Sequence, residues 1–417
     1  MSLKEYGQTV VDRFVKYVKY DSQSAEDSET YPSTEKQKIL AQVLVEDLKA
    51  IGLKEAAMDE HGYVTATLEA NTERKIPTIG LICHMDTSPD VSGEDVKPQI
   101  HKNYQGGDIV LPGDSNQVIR QADNPDLKDQ IGNDIITSDG TTLLGADNKA
   151  GIAEIFEALH YLVQHPEIEH GRIRVAVTPD EEVGNGTKYF DVKAFGADYA
   201  YTVDGETAGE IENETFCADA VTMKIHGHNV HPGYAKGKLV NSIKIASEII
   251  GKLPKDGLSP ETTEKREGYV HPHHIQGATE TTTIKVLIRD FEEEGLKEKE
   301  AMLKDLAEAV IKQYPKAKLD FEVEESYRNM KYKLDKEPRT VENAMKAIRQ
   351  AGMEPKINII RGGTDGARLC YMGLLTPNIF TGGHNFHSKL EWISAQDMKK
   401  AVEVIVNLIQ VWAEQNG

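Results

Sequence analysis

The run IGLIC at residues 79–83 is apolar at every position. A strand can be apolar on both of its faces only where both are covered, so this segment predicts a central strand with helices above and below the sheet. Helical patterns stand nearby. Residues 34–50 follow Ser33 and carry Ile39, Leu40, Val43, Leu44 and Leu48 at helical spacing, and residues 149–164 place Ile152, Ile155, Phe156, Leu159, Leu162 and Val163 on one stripe. After Gly62, YVTATLE alternates with period two, while RIRVAVT (172–178) and YAYTV (199–203) read as further strands. This alternation predicts an α/β fold, a three-layer α/β/α domain.

Between residues 213 and 327 the rhythm becomes strand (216–226), helix (239–253), two strands (about 266–271 and 279–290), helix (294–313) and strand (317–324). That order is a βαββαβ, ferredoxin-like unit. The earlier alternation then resumes with a helix at 340–352, strands at 356–360 and 377–381, and a helix at 395–413. The organisation predicted is one domain, 1–212 and 328–417, interrupted by a smaller one at 213–327. The stretch 87–140, rich in Gly, Pro, Asp and Asn, is too long for an ordinary connection and reads as functional or partly folded.

Composition excludes several partners. With 48 Lys plus Arg against 68 Asp plus Glu, the formal charge of -20 opposes nucleic acid and anionic membrane and favours cations, metals or amine-bearing substrates. Three scattered cysteines, Cys83, Cys217 and Cys370, do not make a disulfide framework and fit a reducing compartment. The first twenty residues lack an apolar signal core, and no apolar run approaches the roughly 20 residues of a membrane span. The expectation is a cytoplasmic protein.

Chemistry gathers where predicted strands end. IGLIC runs into His84-Met85-Asp86, TTLLGA into Asp147, RIRVAVTPD into Glu181-Glu182, YAYTV into Asp204, and PNIFT into His384 and His387. Ligands of open α/β sheets bind beyond the carboxyl ends of the strands, so these groups can meet although distant in sequence. Each also has a plainer reading. His84 can be a loop histidine held by Asp86, Glu181-Glu182 a solvated pair, Asp147 a helix cap, and Asp204 a turn residue before Gly205. Five such endings together favour a metal site.

The segments HMDTSPD (84–90), GADNKAG (145–151), PDEEVGNG (179–186), VDGE (203–206), GHNVHPG (227–233), RGGTDGA (361–367) and TGGHNFH (381–387), found along nearly the whole chain, closely resemble the tripeptide aminopeptidases of the dinuclear zinc exopeptidase and deacylase family. The resemblance implies two zinc ions, with cobalt or manganese as alternatives. Asp147 would bridge them, His84 and Asp204 completing one shell and Glu182 and His387 the other. His387 is preferred to His384, whose position often holds tyrosine in relatives. Asp86 would orient His84, and Glu181, left free of metal, would act as general base toward a water of lowered pKa. The family also commonly has a cis peptide after the bridging Asp, here Asp147-Asn148.

In the inserted domain the resemblance implies that His231 donates to the oxyanion in a neighbouring subunit. Asn241, Arg289 and the Gly362-Gly363 loop would hold the far end of the peptide, an Arg fork suiting a carboxylate. The plainer reading of Arg289 is a strand-end arginine paired with Asp290. The inserted domain would serve as lid and as the contact of a homodimer. The activity implied is release of the N-terminal residue from tripeptides; the alternatives are a deacylase or dipeptidase of the same family, or a catalytically silent peptide-binding homologue.

Overall fold

The structure is a computed structural model and describes residues 6–414. It divides into two compact units. The larger comprises residues up to Asn213, Tyr332–Asn358 and those from Thr364 onward; the smaller comprises Glu214–Lys331 and Ile359–Gly363.

An eight-stranded sheet forms the centre of the larger unit, in the order Lys54–Met58, Val64–Leu68, Ile173–Thr178, Ile79–His84, Tyr199–Gly205, Asn378–Phe380, Glu210–Thr215 and Lys356–Ile360. Ile79–His84 is buried at all six positions and pairs in parallel with a strand on each side, as its apolar sequence requires. Its side chains alternate between two cores. Leu81 and Cys83 join Phe14, Tyr17, Phe156 and Trp412, whereas Ile82 joins Phe190, Phe195, Leu369 and Leu374 on the opposite face. The first core is supplied by helices Tyr6–Tyr17, Lys36–Ile51, Ala146–Gln164, Arg339–Gln350 and Ala395–Glu414, the second by Val192–Phe195 and Asp365–Met372. The result is the expected three-layer α/β/α arrangement. Helices Tyr6–Tyr17 and Asp365–Met372 were not among the elements read from the pattern.

Four adjacent strands, from Ile173–Thr178 to Asn378–Phe380, run parallel, so their carboxyl ends share one edge. Helix Ala146–Gln164 approaches this edge closely because position 151 is glycine. A Cβ there would lie 2.1 Å from the carbonyl oxygen of Val203.

One expected strand is absent. TTLLGA is a loop, because Thr141 and Thr142 bond locally, to Asp139 Oδ1 and to the Leu143 carbonyl, and Gly145 has a φ of +84°. The N–H groups of Leu144 and Gly145 donate to the Glu391 carboxylate at 2.7 and 2.8 Å instead of to a ladder. The helix that follows begins at Ala146, with Asp147 and Asn148 outside helical angles and a cis peptide between them.

The 87–140 stretch is folded. Strands Gln99–His101 and Ile135–Thr137 join Trp392–Ser394 and Gly383–His384 in a second sheet, and Tyr104, Ile109, Leu111, Ile119, Leu127, Ile135 and Trp392 form its core.

The smaller unit has the βαββαβ order: Cys217–His226, helix Ser242–Gly251, Tyr269–Gly277, Thr281–Asp290, helix Glu293–Ile311, Lys318–Tyr327. All four strands are antiparallel, with Cys217–His226 and Thr281–Asp290 central. His271, His273 and His274 lie on the strand Tyr269–Gly277. Among the described residues no helix is long and apolar enough to cross a membrane, and Cys83, Cys217 and Cys370 are buried and form no disulfide.

A candidate metal centre

Five side chains from separate strand ends and loops meet at the shared edge of the large sheet. His84 Nε2 lies 2.9 Å from Asp147 Oδ1 and 3.3 Å from Asp204 Oδ1. His387 Nε2 lies 3.2 Å from Asp147 Oδ2 and 2.8 Å from Glu182 Oε2. Two groups result, His84–Asp147–Asp204 and Asp147–Glu182–His387, each with its ligand atoms within 4.8 Å of one another. Asp147 belongs to both, through different oxygens.

Local structure holds each member in place. Asp86 is fully buried; its carboxylate accepts the N–H groups of Glu181 and Glu182 at 3.0 and 3.1 Å and lies 3.4 Å from His84 Nδ1, which also faces the Asp86 carbonyl at 3.0 Å. One residue therefore ties the imidazole to the turn bearing both glutamates. Asp180, just before them, has a φ of +57°, a strained region for a non-glycine residue, and is fixed by Ser33 and Gln37. Glu391 accepts the N–H of Asp147 at 3.0 Å besides those of Leu144 and Gly145. His387 is itself at φ +58°, beyond a loop where Asn385 Nδ2 donates to Asn124 Oδ1 and to the Leu390 carbonyl. His384 belongs to neither group; its ring is stacked on Trp392 with centroids 4.1 Å apart.

The cluster calls for positive charge. Burial pushes Glu182 up to about 8 and Asp204 up to about 6, and in both cases the Asp147 carboxylate adds to the rise. Burial opposes a charged His387, yet its bonds to Asp147 and Glu182 raise it to about 11. Asp147, although buried, is held well below the usual carboxylate range by the two histidines. Burial also lifts Glu181 well above its ordinary value; His84 opposes this, and Asp204, Asp365 and Glu182 reinforce it.

These groups suit divalent cations. Nδ1–H of His84 is committed to Asp86, so a neutral ring turns the lone pair of Nε2 toward two carboxylates, an arrangement that a cation between them relieves. Glu182 Oε1 is buried and has no hydrogen-bond partner among the described residues, an acceptor open to a metal. Nitrogen and oxygen donors without thiolate match zinc or a similar borderline ion.

The remaining expected residues lie in the smaller unit. His231 is exposed, and its Nδ1 accepts the Gly233 N–H at 3.1 Å. Asn241 caps helix Ser242–Gly251, accepting the Ile243 N–H at 2.9 Å. Arg289 does not pair with Asp290, whose carboxylate is taken by Lys299. Its guanidinium donates to the carbonyls of Ile288 and Asp219 and lies 5.6 Å from the centroid of the Tyr327 ring. Gly363 abuts the same ring, since a Cβ there would be 2.8 Å from it. Sequence reading did not single out Glu391, which sits more than 240 positions from the loop it anchors. No local pattern marks it.

Comparison with known proteins agrees with this geometry. Residues 140–411 match the description of peptidase family M20/M25/M40. The chain is 52% identical over 406 residues to peptidase T of Caldanaerobacter subterraneus, covering 97% of this chain and 99% of that protein, and 49% identical over 407 residues to peptidase T of Clostridium novyi, covering 98% and 100%. Among solved structures, the aminopeptidase PepT of Bacillus cereus superposes with a TM-score of 0.75 at 26% identity, covering 98% of this chain and 99% of that one. A tripeptidase of Staphylococcus aureus superposes with the same TM-score at 23% identity and coverage of 98% and 99%, which speaks for the fold.

Proposed function

Because the chain belongs to peptidase family M20/M25/M40, we propose that it releases the N-terminal residue from tripeptides at a pair of divalent cations. The observation that carries this reading is the sharing of Asp147 between two ligand groups, with Glu181 nearby and a member of neither. His84, Asp147 and Asp204 would hold one cation, and Asp147, Glu182 and His387 the other; zinc fits the donors, with cobalt and manganese as alternatives. Such cations lower the pKa of water and polarise a carbonyl.

This chain's own residues then do the remaining work. Glu181 takes the proton of the attacking water and returns it to the departing amine. Burial raises its affinity for protons, the direction that helps it hold the proton between the two steps. Asp86 keeps His84 in one tautomer and sets the turn from which Glu181 and Glu182 diverge. For the smaller unit the proposal is that Arg289, Asn241 and Gly363 bind the carboxyl end of the peptide and that His231 of a second copy donates to the developing oxyanion. Arg289 supports its part by having no carboxylate partner among the described residues.

The test compares Ala-Ala-Ala with N-acetyl amino acids, with and without chelator. Hydrolysis of the tripeptide alone, lost on chelation and lost in Glu181→Gln with bound metal unchanged, is the expected result. Hydrolysis of the blocked substrates instead would assign the chain to the deacylases, and turnover of neither would leave a silent homologue.

A further inference from the structure

A cleft of about 520 Å³ opens beside Asp147 and His387, within the range of roughly 300–1,000 Å³ typical of small-molecule sites. It lies wholly in the larger unit. Asp123, Asp126 and Glu206 line it, and among the described residues none of their carboxylates takes a hydrogen bond or an ion pair. Three unpaired carboxylates around one cleft beside further acidic ligands are unfavourable unless a cation enters. An independent observation points the same way. His384 also lines the cleft and is only 6% exposed; its ring stacks on Trp392, and neither ring nitrogen has a hydrogen-bond partner among the described residues. A neutral imidazole at a cleft wall presents one acceptor nitrogen, which a donor entering the cleft can meet.

The scaffold fixes these groups. Asp126 stands in the short turn of helix Pro125–Gln130, tied to the His384–His387 loop by the 2.7 Å bond from Asn385 to Asn124, while Leu127 of the same turn is buried in the core of the 87–140 segment. Glu206 follows the strand that carries Asp204.

We propose that this cleft receives the α-ammonium group of the peptide, held by Asp126 and Glu206 with the ring of His384 as third acceptor and Asp123 adding charge at the rim. An ammonium has three hydrogens to donate, and the cleft offers acceptors of two kinds around it. The placement explains why a chain of this type would act at the end of a peptide: the ammonium is anchored next to the ligands Asp147 and His387, and the carbonyl under attack belongs to the same residue, two bonds away. The inference rests on the peptidase reading above and names the residues that select a free amino terminus.

The experiment uses the metal-loaded full chain, with Ala-Ala-Ala and with propionyl-Ala-Ala, which lacks only the amine. Steady-state kinetics are measured for wild type, Asp126→Asn, Glu206→Gln and the double variant. Calorimetric binding of both peptides is measured with the Glu181→Gln protein carrying the same changes, and metal content is checked throughout. Each single variant is expected to weaken Ala-Ala-Ala binding about tenfold or more, to leave propionyl-Ala-Ala unchanged, and to retain its metal. A double variant that keeps the wild-type preference for the free amine overturns the proposal, as does one that weakens Ala-Ala-Ala and propionyl-Ala-Ala equally, since that removes the carboxylates from recognition of the amine. Absence of turnover in the wild type would instead sink the peptidase reading, and the calorimetric preference for the amine would still be read independently.

Discussion

The Asp86 carboxylate lies 3.4 Å from His84 Nδ1 and accepts the N–H groups of Glu181 and Glu182, so one carboxylate serves one ligand of the first group, one ligand of the second and the proposed base. Replacing it by asparagine leaves one oxygen and introduces an NH₂ that faces backbone N–H groups. Partners of metal ligands usually contribute 10–100-fold to metal affinity or activity, and we expect Asp86→Asn to lose about that much in both. Metal titration and kcat on a tripeptide check it, and a variant with wild-type metal affinity would reduce Asp86 to a fold-maintaining residue. The residue types around the centre were legible because His, Asp and Glu recur where strands end. Asp126 and Glu391 were not. Their importance lies in what they face across the fold, and neither sits at the end of an apolar run.

Strands and helices were legible where one physical cause dominates. Ile79–His84 is apolar because both faces are covered, and the helical stripes of Ala146–Gln164 and Ala395–Glu414 bury what their spacing predicts. TTLLGA misleads because its apolar residues serve a loop whose N–H groups are collected by Glu391. Gly151 shows how an element sets the site. Adding a methyl group would push the Asp147 helix off the strand bearing Asp204, and Gly151→Ala is expected to destabilise the fold by about 1–3 kcal/mol or more and to weaken metal binding. Chemical denaturation of the metal-free protein measures the first effect.

Strand Glu210–Thr215 carries a pH-sensitive residue. Burial holds the Glu212 carboxyl at about 8 despite a bond from Asn378. Its folded value exceeds the unfolded one, so the folded state binds the proton more tightly and loses stability as pH rises from about 4.5 to about 8. Glu212→Gln should match wild type near pH 5 and be the more stable near pH 9. Equal thermal midpoints at both pH values would contradict this.

For the molecule as a whole the dominant quantity is negative charge, -20 formally, part of it concentrated at the centre. Cations that bind the folded state and not the unfolded chain add stability by mass action, about 2.7 kcal/mol per site at a hundred times the dissociation constant. Chelation is therefore expected to lower the melting temperature and excess zinc to restore it, as scanning calorimetry would show; a midpoint indifferent to both would argue against resident metal. The helix-strand rhythm changes near residue 213, and the smaller unit begins at Glu214. No pattern marks Ile359–Gly363 as part of the smaller unit, since that segment begins inside Lys356–Ile360, the last strand of the large sheet.

A carboxylate common to both ligand groups also makes the two sites a single thermodynamic object. Whatever the first ion does to orient and polarise Asp147 alters the affinity met by the second, and linkage requires the influence to be equal in both directions. Titration with metal should therefore trace a curve that two independent sites cannot fit, and any substitution in one triad should be felt in the occupancy of the other.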